Sequence, residues 1–160
     1  MTNTIRRERG LLFEDFEAGQ TFEHHWGRTM MVSESIGYSN LTMNYNPLYF
    51  NAEYARRMGY DNIVINPMLV YTTVLGLSVE DLTEAGGPFL GVDDLKFLKP
   101  VYHGDTIVAK SVTLSCRVSQ SRPGWGIVEW RSTGLNQHEE TVLDYRRTNL
   151  SRMRAQEGTI

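Results

Sequence analysis

A single cysteine, Cys116, stands among 160 residues, so no internal disulfide can form and no cysteine-based zinc site can be assembled. It falls in an alternating segment, where a packed thiol is its expected role. Lysine is scarce: of sixteen basic residues, only Lys96, Lys99 and Lys110 are lysines. Nor is basic charge in surplus. The formal net charge of −3 argues against nucleic acid as the main partner. The arginines carry a planar fork that suits phosphate and carboxylate, although most are expected on solvated surface. No long hydrophobic run is present. The most apolar stretch, residues 66–82, is too short to span a bilayer and contains Thr72, Thr73 and Ser78, so no membrane association is expected. No glycine-rich phosphate loop precedes a helix, because Gly86-Gly87 leads into a strand pattern. No secretory leader opens the chain, residues 1–10 being polar and Arg-rich, which makes the cytoplasm the expected location. The four histidines form no ligand set. His24 and His25 are adjacent on a strand and point opposite ways, while His103 and His138 fall in turns, so no metal site is expected.

What is present centres on residues 66–82. Asn66 is a good helix N-cap, and Pro67 suits the first helical position, where its missing N–H costs nothing. Met68, Leu69, Val70, Tyr71, Val74, Leu75, Leu77 and Val79 then point in nearly every direction, the pattern of a helix buried on all sides. Residues 1–10 read as a loose arm and 151–160 as a frayed tail, with one domain over 11–150. Residues 21–29 alternate as a strand, with Phe22, His24 and Trp26 on one face. Ser33 is a candidate N-cap for a helix to about Thr42. In residues 44–51, Asn-Tyr-Asn-Pro-Leu-Tyr-Phe-Asn, Pro47 forces Asn46 into an extended state and excludes regular helix. Residues 52–58 read as one or two helical turns, and 59–65 as a loop. The second half alternates over 89–98, 105–118, 125–133 and 140–150, with short turns between. One strand, then helices, then several strands with short connections predicts an α+β fold with an antiparallel sheet.

A long, curved antiparallel sheet around one buried helix resembles the hotdog architecture. The resemblance sharpens over residues 87–107, where Pro100-Val101-Tyr102-His103-Gly104-Asp105 looks like the Pro-Val-x-x-Gly-Asp turn of MaoC-like dehydratases. Residues 44–51 resemble that family's hydratase segment, Asp-x-Asn-Pro-x-His-x-Asp. Thr42-Met43-Asn44, the Gly-Leu-Ser-Val-Glu-Asp at 76–81 and the Ser-Arg-Pro-Gly turn at 121–124 are similar to the branch of mesaconyl-CoA hydratases (β-methylmalyl-CoA dehydratases). The resemblance spans roughly residues 11–150. It implies a hydro-lyase that adds water to, or removes it from, an enoyl thioester, with coenzyme A entering as part of the substrate and no separate cofactor. It also implies an acyl-CoA substrate, possibly short and branched or dicarboxylic, and at least a homodimer with sites between protomers.

Hydration of an enoyl thioester needs a base for water, a proton for the α-carbon, and donors for the oxygen that gains charge. In the resembled family an Asp and a His five residues apart serve the first two needs, and a helix N-terminus serves the third. Here those acid–base positions hold Asn44 and Tyr49. Asn has no useful acid–base function, and a phenol of pKa about 10 donates well but is a poor base near neutrality. Asn51 replaces the trailing acid, and Asn66-Pro67 replaces the usual His-Gly at the helix. The resemblance therefore places Asn44 and Tyr49 as catalytic candidates. Asn46, Asn51, Asn66, Pro67 and Met68 are substrate-binding candidates, as is Arg122 from its strand-joining turn. Asp61 is the one candidate for a displaced base, and if coenzyme A binds, its phosphates are expected to meet Arg122, Arg146 or Arg147. Two other readings stay open: a hotdog thioesterase or another enoyl-thioester addition enzyme, and a non-catalytic acyl-thioester binder.

Overall fold

A computed structural model describes residues 9–154. Five antiparallel strands form one sheet in the order β1-β3-β4-β5-β2: β1 (Thr21–Thr29), β2 (Phe89–Phe97), β3 (Thr106–Val118), β4 (Trp125–Leu135) and β5 (Thr141–Arg152). Helices α1 (Val32–Leu41), α2 (Ala52–Arg57), α3 (Pro67–Leu77) and α4 (Val79–Leu82) come between β1 and β2, with short 3-10 turns at Phe13–Asp15 and Pro47–Tyr49. The sheet curls around α3, the hotdog arrangement. None of these helices is long and apolar enough to cross a membrane.

The central helix departs from expectation in two ways. It breaks at Ser78, whose N–H and Oγ both turn back to the Leu75 carbonyl, at 3.2 and 2.7 Å. A serine side chain that competes for a helical carbonyl favours a stop, and α4 starts afresh after it. Nor is α3 covered on every side. Val70, Tyr71, Thr73 and Val74 are buried, whereas Met68, Thr72 and Gly76 face outward, because one curled sheet covers only part of a helix. Beneath it, a Cβ on Gly134 would lie 2.7 Å from Val74 Cγ2, so glycine lets helix and strand approach closely. The main core joins Met30, Ile65, Val74, Ile107, Leu143 and Tyr145 among others. A second cluster at the far end gathers Phe16, Leu82, Val128 and Trp130, with partly buried Cys116 against it.

Four smaller expectations are corrected. Ser33 lies inside α1; the cap position is Met31, without a side-chain cap, and the Val32 N–H reaches His103 Nδ1 at 3.4 Å. On β1 the register shifts between Glu23 and Gly27, so His24 is buried while Trp26 is exposed. The tail is bound as far as Arg154: β5 continues to Arg152, Met153 donates to the Gly124 carbonyl at 3.0 Å, and the Arg154 N–H meets the Glu14 carboxylate at 3.1 Å. Gly10 is packed where a Cβ would lie 2.2 Å from Ala85 N, so the arm is seated from that point. Its residues 1–8 and the tail's 155–160 lie outside the described residues.

Inside, His24 Nδ1 meets Asp81 Oδ2 at 2.6 Å and its Nε2 meets Ser111 Oγ at 2.9 Å, which continues to Ser132 Oγ at 2.7 Å. The connectivity is that of a nucleophilic triad, but Ser111 is buried and no substrate reaches it. Burial, the largest cause, pushes the His24 pKa down, and the nearby charges of Arg147 and His25 add to it, against the upward pull of Asp81. A depressed histidine binds fewer protons folded than unfolded. Its contribution is therefore complete above the unfolded pKa of about 6.5 and fades as pH falls below that value toward the folded pKa. The urea midpoint should drop between pH 7 and 5, and His24→Phe should flatten the slope. An equal slope in the variant would assign the pH dependence elsewhere.

Candidate active site

The segment 44–51 folds as its proline dictates. Asn46 is extended, and its Oδ1 accepts the Leu48 N–H at 3.1 Å, which caps the 3-10 turn that Pro47 opens. Asn51 then caps α2 through the Tyr54 N–H at 3.0 Å. The Val64 N–H donates to the Leu48 carbonyl at 3.2 Å, which ties the turn to the approach of α3. Tyr49 is thereby held over a cavity of about 320 Å³, whose walls include Tyr60, Pro67, Val70, Phe97, Leu98 and Lys99.

Two phenols and one ammonium are the polar side-chain ends of this lining. Burial first, and then the neighbouring Tyr60, raise the Tyr49 pKa, while the Asn46 side chain acts less strongly the other way. Tyr49 is therefore a donor at neutral pH. Lys99 pairs with Glu140. The arrangement can bind an apolar acyl group and polarise a carbonyl, but it offers no side chain poised to deprotonate water.

Tyr60 was missed in the sequence although its placement follows from a legible signal. Gly59 has φ +89° just past α2, its N–H donates to the Arg56 carbonyl at 3.0 Å, and the Tyr60 N–H donates to the Ala55 carbonyl at 3.1 Å. This paired pattern is the Schellman ending, for which glycine supplies the left-handed residue. It turns the chain so that Tyr60 lands beside Tyr49.

The other sequence candidates separate. Of those named, only Tyr49 and Pro67 line the cavity. Asn44 is half-buried behind the turn and is fixed by its N–H to the Ser39 carbonyl at 2.8 Å. Asn46 and Asn51 serve as caps. Asn66 is fully buried and committed: its N–H donates to Ser35 Oγ at 2.8 Å, its Nδ2 to Ser39 Oγ at 3.0 Å, and its Oδ1 accepts the Met68 N–H at 3.0 Å. The Leu69 and Val70 N–H groups point to the Asn66 carbonyl at 3.0 and 3.2 Å, and Pro67 has none. The expected oxyanion site at the start of α3 is thus closed, because the cap side chain and the first turn consume every early amide. The Met68 side chain faces outward. Asp61 does not line the cavity and stands beside Tyr102 instead.

The arginine expectations are corrected as well. Arg122 lies over the Trp125 ring, 5.9 Å from its centroid, in the β3–β4 turn. The cavity is at the Val142 end of β5, whereas this turn adjoins the Arg152 end, a separation of roughly 30 Å at the usual strand rise. Arg146 is held by Asp94 at 3.0 Å and Glu129 at 2.9 Å. Arg147 is 1% exposed and cannot meet a solvent-borne phosphate. Among the described residues, no three His, Cys, Asp or Glu side chains gather as metal ligands.

Residues 1–159 match the family model described as mesaconyl-CoA hydratase. The chain belongs to the mesaconyl-CoA hydratase family. A mesaconyl-CoA hydratase of Haloarcula hispanica is 37% identical over 145 residues, 90% of this chain and 40% of that protein. A solved structure described as a putative MaoC domain dehydratase from Chloroflexus aurantiacus superposes with TM-score 0.86 at 29% identity, over 98% of this chain and 46% of that one. A Mycobacterium tuberculosis protein described as having a double hotdog fold superposes with TM-score 0.80 at 20% identity, over 94% of this chain and 47% of that one. The chain thus spans about two fifths of the length of the curated mesaconyl-CoA hydratase. Its cavity carries a phenol, Tyr49, at the turn where the resemblance implies a histidine.

Proposed function

We propose that the chain acts on enoyl thioesters as a hydratase or dehydratase of the mesaconyl-CoA type, with a short branched or dicarboxylic acyl group on coenzyme A. The observation that carries this is the Asn46-Pro47 turn holding Tyr49 over an apolar cavity, in a chain of this family. Coenzyme A enters as substrate and no other cofactor takes part. Tyr49 donates to the thioester oxygen, and Asn44 supports the turn. The cytoplasm is the proposed location. Incubation with mesaconyl-CoA and crotonyl-CoA, followed by mass detection of the hydrated product and of free coenzyme A, tests the reaction. Hydration without thioester cleavage is expected. Cleavage alone would establish a thioesterase.

A second reading is favoured by the missing base and the closed helix start: the chain binds the acyl thioester, and a second hotdog unit completes the chemistry. The edge strand β2 supports pairing. Phe89, Leu90, Val92, Phe97 and Leu98 at this edge are exposed, and Phe97 and Leu98 also line the cavity. An unpaired apolar edge is a liability that a partner strand removes. A homodimer or a multiple of it is proposed. Sedimentation at micromolar concentration should give at least twice the chain mass, and Val92→Lys should shift it toward one chain. A wild-type mass near 18.3 kDa would end the pairing proposal.

A further inference from the structure

Arg147 stands on β5 with its side chain turned into the protein. It is 1% exposed, and its Nε and Nη2 have no hydrogen-bond partner. Its guanidinium lies 5.2 Å from the centroid of the Trp130 ring. The groups that favour its charge are Tyr145 and Tyr71, both neutral phenols whose own pKa values burial raises. Among the described residues, no carboxylate pairs with it. Asp81, the acid of α4 that enters this interior, is engaged by His24 at 2.6 Å. A cation over an aromatic face recovers part of the cost of burial, but an uncompensated buried charge remains costly.

Its surroundings repeat the imbalance. Thr113 pairs with Trp130 and Trp130 with Arg147 in the sheet register, so the three form one row across β3, β4 and β5, all buried. Trp130 Nε1 and Thr113 Oγ1 are enclosed and also lack partners. Asn149, two residues along the same face of β5, has an enclosed Oδ1 without a partner. Arg147 Nε and Nη2 and Trp130 Nε1 can only donate. The row therefore offers an excess of donors, a formal positive charge, and one obligate acceptor at its end.

We propose that this row holds a small monovalent inorganic anion of the halide class, with Arg147 as its counter-charge and Trp130 and Thr113 as further donors. A halide accepts from several donors at once and neutralises the guanidinium. A water molecule could give its own hydrogens to Asn149 Oδ1 or Tyr145 Oη, both enclosed without partners, but, being neutral, it would leave the charge of the guanidinium uncompensated. Enclosure by Thr113, Trp130, Tyr145 and Arg147, all 1% exposed or less, excludes phosphate esters and carboxylate ligands of any length. This site is separate from the Tyr49 cavity and does not depend on the reaction proposed there.

Crystals of the wild-type protein grown with sodium bromide in place of chloride test the proposal. An anomalous bromine peak in contact with the Arg147 guanidinium is expected. A non-anomalous water at that point would overturn it. In solution at constant ionic strength, the melting temperature should rise saturably as gluconate, too large to enter, is replaced by chloride or bromide, following ligand linkage. Arg147→Met should lose that increment. Equal melting temperatures in chloride and gluconate for the wild type would also overturn the proposal. If Arg147→Met does not fold, the wild-type bromide map decides alone.

Discussion

Tyr49→Phe should lower the hydration rate about 10²–10⁴-fold, the range for removing a positioned proton donor or acceptor. The ring stays, so packing against the cavity wall is retained, and only the hydroxyl is lost. The expected signature is a fall in kcat with a smaller change in KM, because the donor gains most as charge develops on the thioester oxygen. Stability should change by no more than about 1 kcal/mol, the usual worth of one hydrogen bond. The pH profile separates two roles. A donor is active while protonated, and burial keeps Tyr49 protonated further into the alkaline range than a free phenol. Donation therefore predicts a rate that holds through neutral pH and falls only on strong alkalinisation. A phenolate base would give a rate that rises with pH. Full activity in Tyr49→Phe would remove the residue from the chemistry. Replacing the turn's pair by Asn44→Asp with Tyr49→His should raise hydration, since the imidazole at position 49 supplies the base that the lining lacks.

The largest effect on stability is expected at Asn66. Asn66→Ala removes the cap of α3 and leaves both the Met68 N–H and Ser39 Oγ without the partners they have at 3.0 Å. Loss of the cap, which is the loss of the Met68 partner, costs about 0.5–2 kcal/mol, and leaving the buried Ser39 Oγ unpaired adds about 1–3 kcal/mol. A loss of about 2–4 kcal/mol is expected, seen as a lower urea midpoint at constant slope. Asn66→Asp keeps the acceptor for Met68 and gives up the donor to Ser39, so its loss should be smaller if the cap dominates. A change below about 0.5 kcal/mol in Asn66→Ala would mean that the closed helix start is not held by this side chain, and the amides of α3 would again be available to a substrate.

Much of this architecture was legible because local chemistry and tertiary context agree. Asn66-Pro67 starts α3, Asn46-Pro47 makes a turn, and the second half alternates into strands with short connections. Failures occurred where a distant residue decides the outcome. The start of α1 is satisfied by His103 across the fold, so Ser33 had no cap to make. The Ser78 break is a competition for one carbonyl that an apolar pattern cannot display. On β5 the inward face carries Leu143, Tyr145, Arg147, Asn149 and Ser151. Such mixed polarity masks the inward face, which is why Arg147 read as an accessible phosphate partner rather than a buried side chain. At the site, the turn bearing Tyr49 was readable from its proline and its family likeness. Tyr60 was signalled only by Gly59, and the consumption of the α3 amides required the hydrogen bonds themselves.

The strand order carries a consequence for the way the chain is made. A ribosome delivers β1, α3 and β2 before any strand that can pair with them. β1 waits for β3, while β2 waits for β5, which starts at Thr141, 44 positions after Phe97 closes β2. The hairpins β3–β4 and β4–β5 are local in sequence and can form as they emerge, whereas both outer strands need long loops to close. During synthesis the apolar helix and the apolar edge are therefore exposed together, a state in which collapsed chains associate. Chains halted before Thr141 should accumulate as aggregates or remain bound to chaperones, because the part already made lacks the strands that complete its sheet.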